Sequence, residues 1–294
     1  MSTRTVVPIP PSYTREGDLE TESTIRYLKY LHDKGIETVM TTAGTSQFNL
    51  LTIEEIHKLN EVVVKHFPGQ KIIGIPALST RAAIEFVWKA NQYVDQKTNL
   101  MALYPDRYYD DEIIKEHILS IRNRTSNPLY IHGMFMRAGR GGTWNYTSML
   151  LNDLYEAGAI KGIKEEHSSL NESYNFVSEL VEEMDVIVAG GSMRRHQFLR
   201  SAGANAFLAG IGNLFPEVEL KYCQDPEHGQ KYLDLEKRLF SVFMKNGWHQ
   251  SLRIALNVLK LTCKFDRAPW PLRDDELVEE IKLILKDLDK ANEK

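Results

Sequence analysis

The feature that most constrains the fold is a regular alternation of short β-branched runs with amphipathic stretches. Eight runs predict buried strands, at Thr5–Ile9, Ile36–Thr41, Lys71–Ile75, Leu100–Tyr104, Leu129–His132, Ile160–Lys164, Asp185–Ala189 and Ala206–Ala209. The stretches between them have helical periodicity. Strands that alternate with helices through right-handed crossovers form a parallel sheet. Eight such units predict an α/β fold, a closed (β/α)₈ TIM barrel, rather than an open sheet.

Local signals mark several of the predicted helix ends. Thr52 followed by Glu55 forms a capping box at the start of a helix that runs to Phe67, and Gly35 ends the helix that begins near Glu22. From about Asp225 the strand signal vanishes. The remaining helices are predicted at Gln230–Met244, Gln250–Thr262 and Asp274–Ala291. We therefore expect a barrel at residues 1–224 and a helical region at 225–294 packed on it.

Composition excludes several classes of function. The 294 residues are 43% hydrophobic and 26% charged, with a net charge of −4, so no basic excess indicates nucleic acid binding. No apolar run approaches the length of roughly 20 residues that spans a bilayer, and no signal peptide is evident. The two cysteines, Cys223 and Cys263, provide neither a disulfide framework nor metal-ligand spacing. These features predict a soluble cytoplasmic enzyme.

Lys164 is the most unusual residue of the predicted strands. Side chains of a strand alternate between its faces, so Ile160, Gly162 and Lys164 share one face. A lysine is rarely buried unless it is paired or used chemically. Glu166 lies on the same face, and its carboxylate would favour the charged amine if it lay close. The alternative is a lysine that reaches solvent from the strand end.

Other candidate residues lie at the carboxyl ends of the predicted strands, where barrel active sites are formed. After the second strand, Gly44, Thr45 and Ser46 offer hydroxyl and backbone N–H groups to an anion. On the fifth strand, Tyr130 and His132 share a face, and each is a plausible proton-transfer group. The remaining substrate-binding candidates are Arg137 in a glycine-rich loop, Tyr108 after the fourth strand and Leu208 on the eighth.

Two further patterns bear on ligands. Glycine turns at Gly190–Ser192 and Gly210–Asn213 resemble phosphate cradles at helix starts, although tight turns use glycine for geometry alone. No metal-ligand spacing and no dinucleotide fingerprint accompany the strands. We therefore expect neither a metal nor an organic cofactor.

With these motifs in view, the chain resembles the dihydrodipicolinate synthase/N-acetylneuraminate lyase family. Ile160–Glu165 matches the family pattern I-x-G-[IVL]-K-[ED], and Ala43–Phe48 falls where the family has G-T-T-G-E-[FS]. Pro128–His132 resembles P-x-x-x-Y, and Arg137-Ala138-Gly139 resembles the R-T-G that follows it. Gly203–Ala206 resembles the family's entry to strand eight. The resemblance extends over most of the chain and implies a (β/α)₈ barrel with a carboxyl-terminal helical region.

The departures from the family pattern concern the groups around the lysine. The family's two adjacent threonines, which hold the carboxylate of a 2-oxo acid, correspond here to Gly44 and Thr45. The family's glutamate in that motif is Gln47. His132 stands where the family has its catalytic tyrosine, with Tyr130 one inward position before it. Tyr108 and Tyr109 lie near the tyrosine pair expected after strand four.

The resemblance implies a Schiff-base lyase or aldolase in which Lys164 attacks pyruvate or a related 2-oxo acid. The proton-handling and carboxylate-holding groups have changed, which favours an unusual substrate, such as a 2-keto-3-deoxy sugar acid and its aldehyde product. Dihydrodipicolinate synthase itself and a non-catalytic small-acid-binding relative are the alternatives. A phosphosugar enzyme that uses Gly191 or Gly212 is a weaker one. The family also implies a homodimer or homotetramer, without nucleic acid or membrane partners.

Overall fold

A computed structural model describes residues 3–103, 107–108, 110–134, 136–138, 142–245, 247–269 and 275–292. Eight parallel strands form a closed barrel, in the order β1, β8, β7, β6, β5, β4, β3, β2. The barrel strands are β1 (Arg4–Pro8), β2 (Thr38–Met40), β3 (Gln70–Ile75), β4 (Thr98–Ala102), β5 (Leu129–Gly133), β6 (Gly162–Glu165), β7 (Asp185–Val188) and β8 (Ala206–Leu208). The predicted (β/α)₈ barrel is confirmed.

Helices follow the strands in the expected alternation. Those in the described residues are α1 (Glu22–Asp33), α2 (Ile53–His66), α3 (Thr80–Ala90), α4 (Asp111–Arg122), α5 (Ser148–Glu156), α6 (Leu170–Ser178), α7 (Ser192–Leu199), α8 (Pro216–Gln224), α9 (Gln230–Phe243), α10 (Trp248–Val258) and α11 (Asp275–Asn292). Short 3₁₀ helices lie at Phe48–Leu50, Arg200–Ala202 and Ile211–Asn213. No helix in these ranges is long and apolar enough to cross a membrane.

The helix-end signals act as predicted. The Thr52 hydroxyl accepts the N–H of Glu55, and the Glu55 carboxylate accepts the N–H of Thr52, so the capping box at the start of α2 is confirmed. Gly35 has a φ of +90°, the left-handed conformation that commonly follows a helix end. The predicted end of the Gln250–Thr262 helix was wrong, since α10 ends at Val258 and Lys260 has a φ of +61°.

Several short elements were not predicted. Helix α8 begins with Pro216 in its first turn, a start signal that the sequence carries. Ser12–Tyr13 and Leu19–Glu20 form a small hairpin. Three short strands, Arg107–Tyr108, Met136–Ala138 and Gly142–Trp144, form a separate sheet in segments that the sequence indicates only as loops. Each of these strands has two or three residues, too few to show a periodicity.

The chain divides into two compact units, each made of two chain segments. The first unit consists of Met1–Val6 and Gln70–Leu208, and it contains β3 to β8 with α3 to α7. The second unit consists of Val7–Gly69 and Ala209–Lys294, and it contains β2, α1, α2 and α8 to α11. The division of the sequence into residues 1–224 and 225–294 stays a prediction.

Buried parallel strands position the residues of the first unit. Every residue of β4 and β5 is buried, as expected when helices cover a parallel sheet. Strand β6 pairs with β5 on one side and β7 on the other, so that Lys164 lies in register with His132 and Ile187. Two residues earlier, Gly162 lies in register with Tyr130 and Asp185. The interior of this part of the barrel is therefore built in two layers.

Candidate active site

The site in the first unit is centred on Lys164, whose residue surface is only 2% exposed. Its place on β6 requires the glycine two residues before it. A Cβ on Gly162 would lie 2.1 Å from the carbonyl oxygen of Asp185, a distance that no side chain tolerates. Gly162 therefore allows β7 to approach β6 closely. The close pairing holds Lys164 in the layer of His132.

Lys164 Nζ, His132 Nε2 and Glu166 Oε2 lie within hydrogen-bond distance of one another. Lys164 Nζ lies 2.6 Å from His132 Nε2 and donates to Glu166 Oε2 at 2.6 Å. The same carboxylate oxygen lies 2.9 Å from His132 Nε2. All three distances are within hydrogen-bond range. A proton can therefore pass among the amine, the imidazole and the carboxylate without a bridging water.

His132 is suited to accept and return a proton within this group. Burial and the positive charge of Lys164 lower the pKa of His132 from 6.5 to about 4, against the opposing effect of Glu166. The imidazole is therefore neutral near pH 7. Its Nδ1 atom has no hydrogen-bond partner among the described residues. Nε2 is therefore the ring nitrogen that can exchange protons with Lys164 and Glu166, the two groups that it contacts.

Glu166 is the only member of the trio with substantial contact with solvent, since its side chain is 39% exposed. Burial alone would raise the pKa of Glu166, but the charge of Lys164 and the hydrogen bonds from His132 and Lys164 lower it well below its usual range. The residue is a carboxylate at neutral pH. The sequence placed it on the face of Lys164, and the structure brings it into direct contact.

Tyr130, the other proton-transfer candidate, lies in the deeper layer. Its hydroxyl donates to Asp185 Oδ2, and the Arg4 guanidinium donates to the same oxygen. Burial, with a further contribution from the negative charge of Asp185, raises the pKa of Tyr130. A hydroxyl that already donates its proton to a carboxylate and is difficult to ionise is poorly suited to transfer a proton. The geometry favours His132 over Tyr130 for proton transfer at Lys164.

The opposite face of β6 is fixed to the surrounding helices by Glu165. This fully buried carboxylate accepts hydrogen bonds from Arg195 of α7, from the Ser173 hydroxyl of α6 and from the N–H of His167. Burial would raise the pKa of Glu165, but the hydrogen bond from His167 and the charge of Arg195 lower it. These contacts hold the end of β6 from outside. These contacts were not predicted, because Arg195 lies 30 positions after Glu165 and no local pattern pairs Glu165 with Ser173.

The predicted anion-binding loop after β2 belongs to the second unit. Thr45 is 6% exposed, and no hydrogen bond engages it within the described ranges. Ser46 differs from what was expected. Its hydroxyl donates to the Ile9 carbonyl at 2.6 Å and its N–H donates to the Thr42 carbonyl at 3.1 Å. Ser46 therefore holds the loop and has no remaining proton to donate to a substrate.

The other predicted substrate-binding residues are described only in part. Arg137 pairs through its backbone with Arg107 and Thr143, and Tyr108 pairs with Ala138. The side chains of Arg137 and Tyr108 lie outside the described residues, as do Tyr109 and residues 139–141. Leu208 is half-buried on β8, in register with Val6. The roles of Arg137, Tyr108 and Leu208 stay predictions.

The glycine turn after β8 does not serve as a phosphate cradle. The N–H groups of Gly210 and Gly212 both donate to Glu219 Oε1 of α8, each at 2.8 Å. A carboxylate of the chain itself occupies the position that the sequence suggested for an anion. Gly212 therefore gives no support to the alternative of a phosphosugar enzyme.

A parallel (β/α)₈ barrel with a buried lysine and histidine near the carboxyl ends of adjacent strands is an enzyme architecture. Comparison with known proteins identifies the family to which this enzyme belongs. Residues 1–287 match the model of the dihydrodipicolinate synthetase family. The chain therefore belongs to this family, and it is a lyase.

Two relatives match nearly the full length of the chain. An aldolase of Sulfurisphaera tokodaii named for 2-dehydro-3-deoxy-phosphogluconate and 2-dehydro-3-deoxy-6-phosphogalactonate is 23% identical, over 97% of this chain and 98% of its own. A 4-hydroxy-tetrahydrodipicolinate synthase of Phocaeicola vulgatus is 22% identical, over 94% and 93%.

Solved structures show the same fold. The prophage protein YagE of E. coli K12, of the dihydrodipicolinic acid synthase family and in complex with pyruvate, covers 98% of both chains at 16% identity, with a TM-score of 0.84. The dihydrodipicolinate synthase of Aquifex aeolicus covers 98% of both at 17% identity, with a TM-score of 0.83.

Proposed function

We propose that the protein is a Schiff-base lyase in which Lys164 forms an imine with pyruvate or a related 2-oxo acid. The observation that carries the proposal is the contact of a buried lysine with both a neutral imidazole and a carboxylate. In this reaction the Lys164 amine adds to the carbonyl carbon of the substrate, and loss of water from the carbinolamine gives the imine. The protonated imine then withdraws electrons from the neighbouring C–C bond.

His132 and Glu166 have separate tasks in this scheme. His132 Nε2 takes one proton from the Lys164 ammonium, which frees the amine to add to the carbonyl carbon, and a second N–H proton passes to the oxygen to give the carbinolamine hydroxyl. His132 then returns the first proton to this hydroxyl, which departs as water and leaves the protonated imine. Glu166 keeps its negative charge and stabilises the positive nitrogen, first as an ammonium and then as the protonated imine. The two tasks require contact with the same atom, and both side chains contact Nζ.

The substrate that we favour is a 2-keto-3-deoxy sugar acid or a similar compound, cleaved to a 2-oxo acid and an aldehyde, or formed from them. Gly44 and His132, which replace a family threonine and tyrosine, support a substrate other than that of dihydrodipicolinate synthase. The carboxylate would be held by Thr45 and the backbone near Gly44, and Arg137 would bind the distal part of the substrate. These assignments rest on the resemblance.

Borohydride trapping tests the proposal. The protein is incubated with pyruvate and reduced, and the adduct is located by mass spectrometry of peptides. Lys164 should carry the adduct and Lys164→Arg should not. Lys161→Met, which changes an exposed lysine directly before β6, should react as the wild type does. Absence of an adduct on Lys164 with pyruvate and with larger 2-oxo acids would overturn the proposal.

Two alternatives are tested alongside it. Dihydrodipicolinate synthase activity, suggested by the name of the Phocaeicola vulgatus relative, is measured with pyruvate and aspartate semialdehyde. A non-catalytic relative would form the Lys164 adduct and turn over no aldol substrate. The contact between Lys164 and His132 favours turnover, since binding alone does not require a proton-transfer group.

We also expect a homodimer or homotetramer in the cytoplasm, from the family resemblance. Light scattering coupled to size-exclusion chromatography measures the mass in solution.

A further inference from the structure

Arg195 of α7 binds the strand residue that follows Lys164. Its Nη2 atom donates to both carboxylate oxygens of Glu165, at 3.1 and 3.2 Å. Arg195 is 7% exposed and Glu165 is fully buried, so water competes little with this contact. The planar guanidinium fork can hold a carboxylate in one orientation, whereas a lysine ammonium acts as a point charge.

The same guanidinium nitrogen also holds the residue after Glu166. Arg195 Nη2 donates to the carbonyl oxygen of His167 at 2.5 Å. The N–H of His167 in turn donates to Glu165 Oε1 at 2.7 Å. Residues 165 and 167 are thus bound to one buried side chain and to each other. The backbone of Glu166, which lies between them, is fixed from both sides.

The ring of His167 ties this segment to the start of α5. Asn145 Oδ1 accepts the N–H of Tyr146 at 2.8 Å, which leaves its NH₂ group directed at His167 Nε2, 3.1 Å away. An amide NH₂ is a donor, so Nε2 accepts and the proton lies on Nδ1. His167 Nδ1 is 2.9 Å from Glu165 Oε1, to which it donates. Glu165 is therefore held by donors from both α7 and its own strand end.

Glu166 extends from this fixed backbone to the reacting amine. Its Oε2 atom lies 2.6 Å from Lys164 Nζ and 2.9 Å from His132 Nε2. The Glu166 side chain is 39% exposed, so water is available to it as an alternative partner. Its contact with the two nitrogen atoms consequently depends on where the backbone places it.

We infer that Arg195 is a positioning residue of the reaction: it holds Glu165 and the His167 carbonyl so that Glu166 meets Lys164 and His132. This inference rests on the proposed function for the reaction that it serves. Arg195 contacts no reacting atom and acts through Glu166.

The first experiment measures the rate of adduct formation at saturating pyruvate. Arg195→Lys keeps the positive charge beside Glu165 but loses the fork, and it should slow the reaction about tenfold, since small displacements of a catalytic group are costly. Arg194→Lys makes the same change at an exposed arginine of α7 and should retain the wild-type rate.

A second variant guards against damage to the fold. Loss of one partner from a buried ion pair leaves an uncompensated charge, so Arg195→Met is paired with Glu165→Gln. This neutral pair should lose at least as much rate as Arg195→Lys while circular dichroism shows a folded protein. A wild-type rate in either variant would overturn the inference.

A double-mutant cycle shows whether Arg195 acts through Glu166. In the Glu166→Gln background, Arg195→Lys should change the rate by less than about twofold, because the carboxylate that it positions is already gone. Equal fold losses in the Glu166→Gln and wild-type backgrounds would mean that Arg195 serves the fold alone, and they would contradict the inference.

A measurement without pyruvate separates this inference from the Schiff-base proposal. With ¹⁵N-labelled histidine, the ring resonances of His132 are assigned by comparison with His132→Phe. Arg195→Lys should move the Nε2 resonance in the direction in which Glu166→Gln moves it. An unmoved resonance would overturn the inference whether or not Lys164 forms an adduct. A moved resonance without a wild-type adduct would retain the positioning of Glu166 and reject the Schiff base.

Discussion

Lys164 Nζ and His132 Nε2 lie 2.6 Å apart because their strands, β6 and β5, pair in parallel with these two residues in register. The contact is therefore fixed by the backbone of the barrel and does not depend on a mobile loop. Burial keeps the imidazole neutral, and Glu166 contacts both nitrogen atoms.

The first prediction concerns the proton transfer by His132. His132→Phe should slow formation of the Lys164 adduct by about 10²- to 10³-fold, the usual contribution of a general acid–base group. His132→Tyr restores the family residue and should be slowed less. Quenched-flow reduction with borohydride at saturating pyruvate measures the rate. A His132→Phe rate within threefold of the wild-type rate would remove the residue from the mechanism.

The second prediction separates Tyr130 from His132. The Tyr130 hydroxyl donates to Asp185 and so contributes to the fold. Tyr130→Phe should reduce the free energy of unfolding by about 1–3 kcal/mol, because a buried carboxylate loses a donor. It should change the adduct rate by less than about threefold, which is small beside the effect of a catalytic group. Urea unfolding and the trapping rate measure the two effects. A large rate loss with unchanged stability would return Tyr130 to the catalytic candidates.

Some of these relationships were predictable from sequence and others were not. The alternation of strands and helices, the capping box at Thr52 and the strand that carries Lys164 are local patterns, and a local pattern is visible in sequence. The pairing of Tyr130 with Asp185 joins residues 55 positions apart, and no pattern indicates such a pair. The sequence shows a glycine at position 162, but the reason that glycine is required there is a tertiary contact, the close approach of β7. Residues and their strand faces were therefore predictable, whereas their partners were not.

The third prediction concerns acid stability. His117 of α4 is buried beside the Thr80 hydroxyl, and burial lowers its pKa from 6.5 to about 4. Below pH 6.5 His117 binds a proton in the unfolded chain, whereas in the folded chain it binds this proton only near pH 4. The stabilisation is therefore complete above pH 6.5 and is lost as the pH falls toward 4. The loss is on the order of 3 kcal/mol for one such histidine.

His117→Phe should reduce this pH dependence. Urea unfolding at pH 7.5, 6.0 and 5.0 should show a shallower decline for the variant than for the wild type. His228→Ala changes an exposed histidine and should retain the wild-type decline. Equal declines for His117→Phe and the wild type would show that this histidine is not responsible.

The last prediction concerns the choice between phosphorylated and unphosphorylated substrates. The Sulfurisphaera tokodaii relative is named for phosphorylated sugar acids, yet the N–H groups of Gly210 and Gly212 are bound to Glu219 here. A phosphate at this turn would meet a carboxylate and find both donors occupied. Cleavage of 2-keto-3-deoxygluconate and of its 6-phosphate should therefore differ by less than about tenfold in kcat/KM, a difference of about 1.4 kcal/mol or less in transition-state stabilisation. A coupled assay for pyruvate measures both. A preference for the phosphate of more than a hundredfold would require another phosphate-binding group, and Glu219→Gln would then show whether the β8 turn contributes to it.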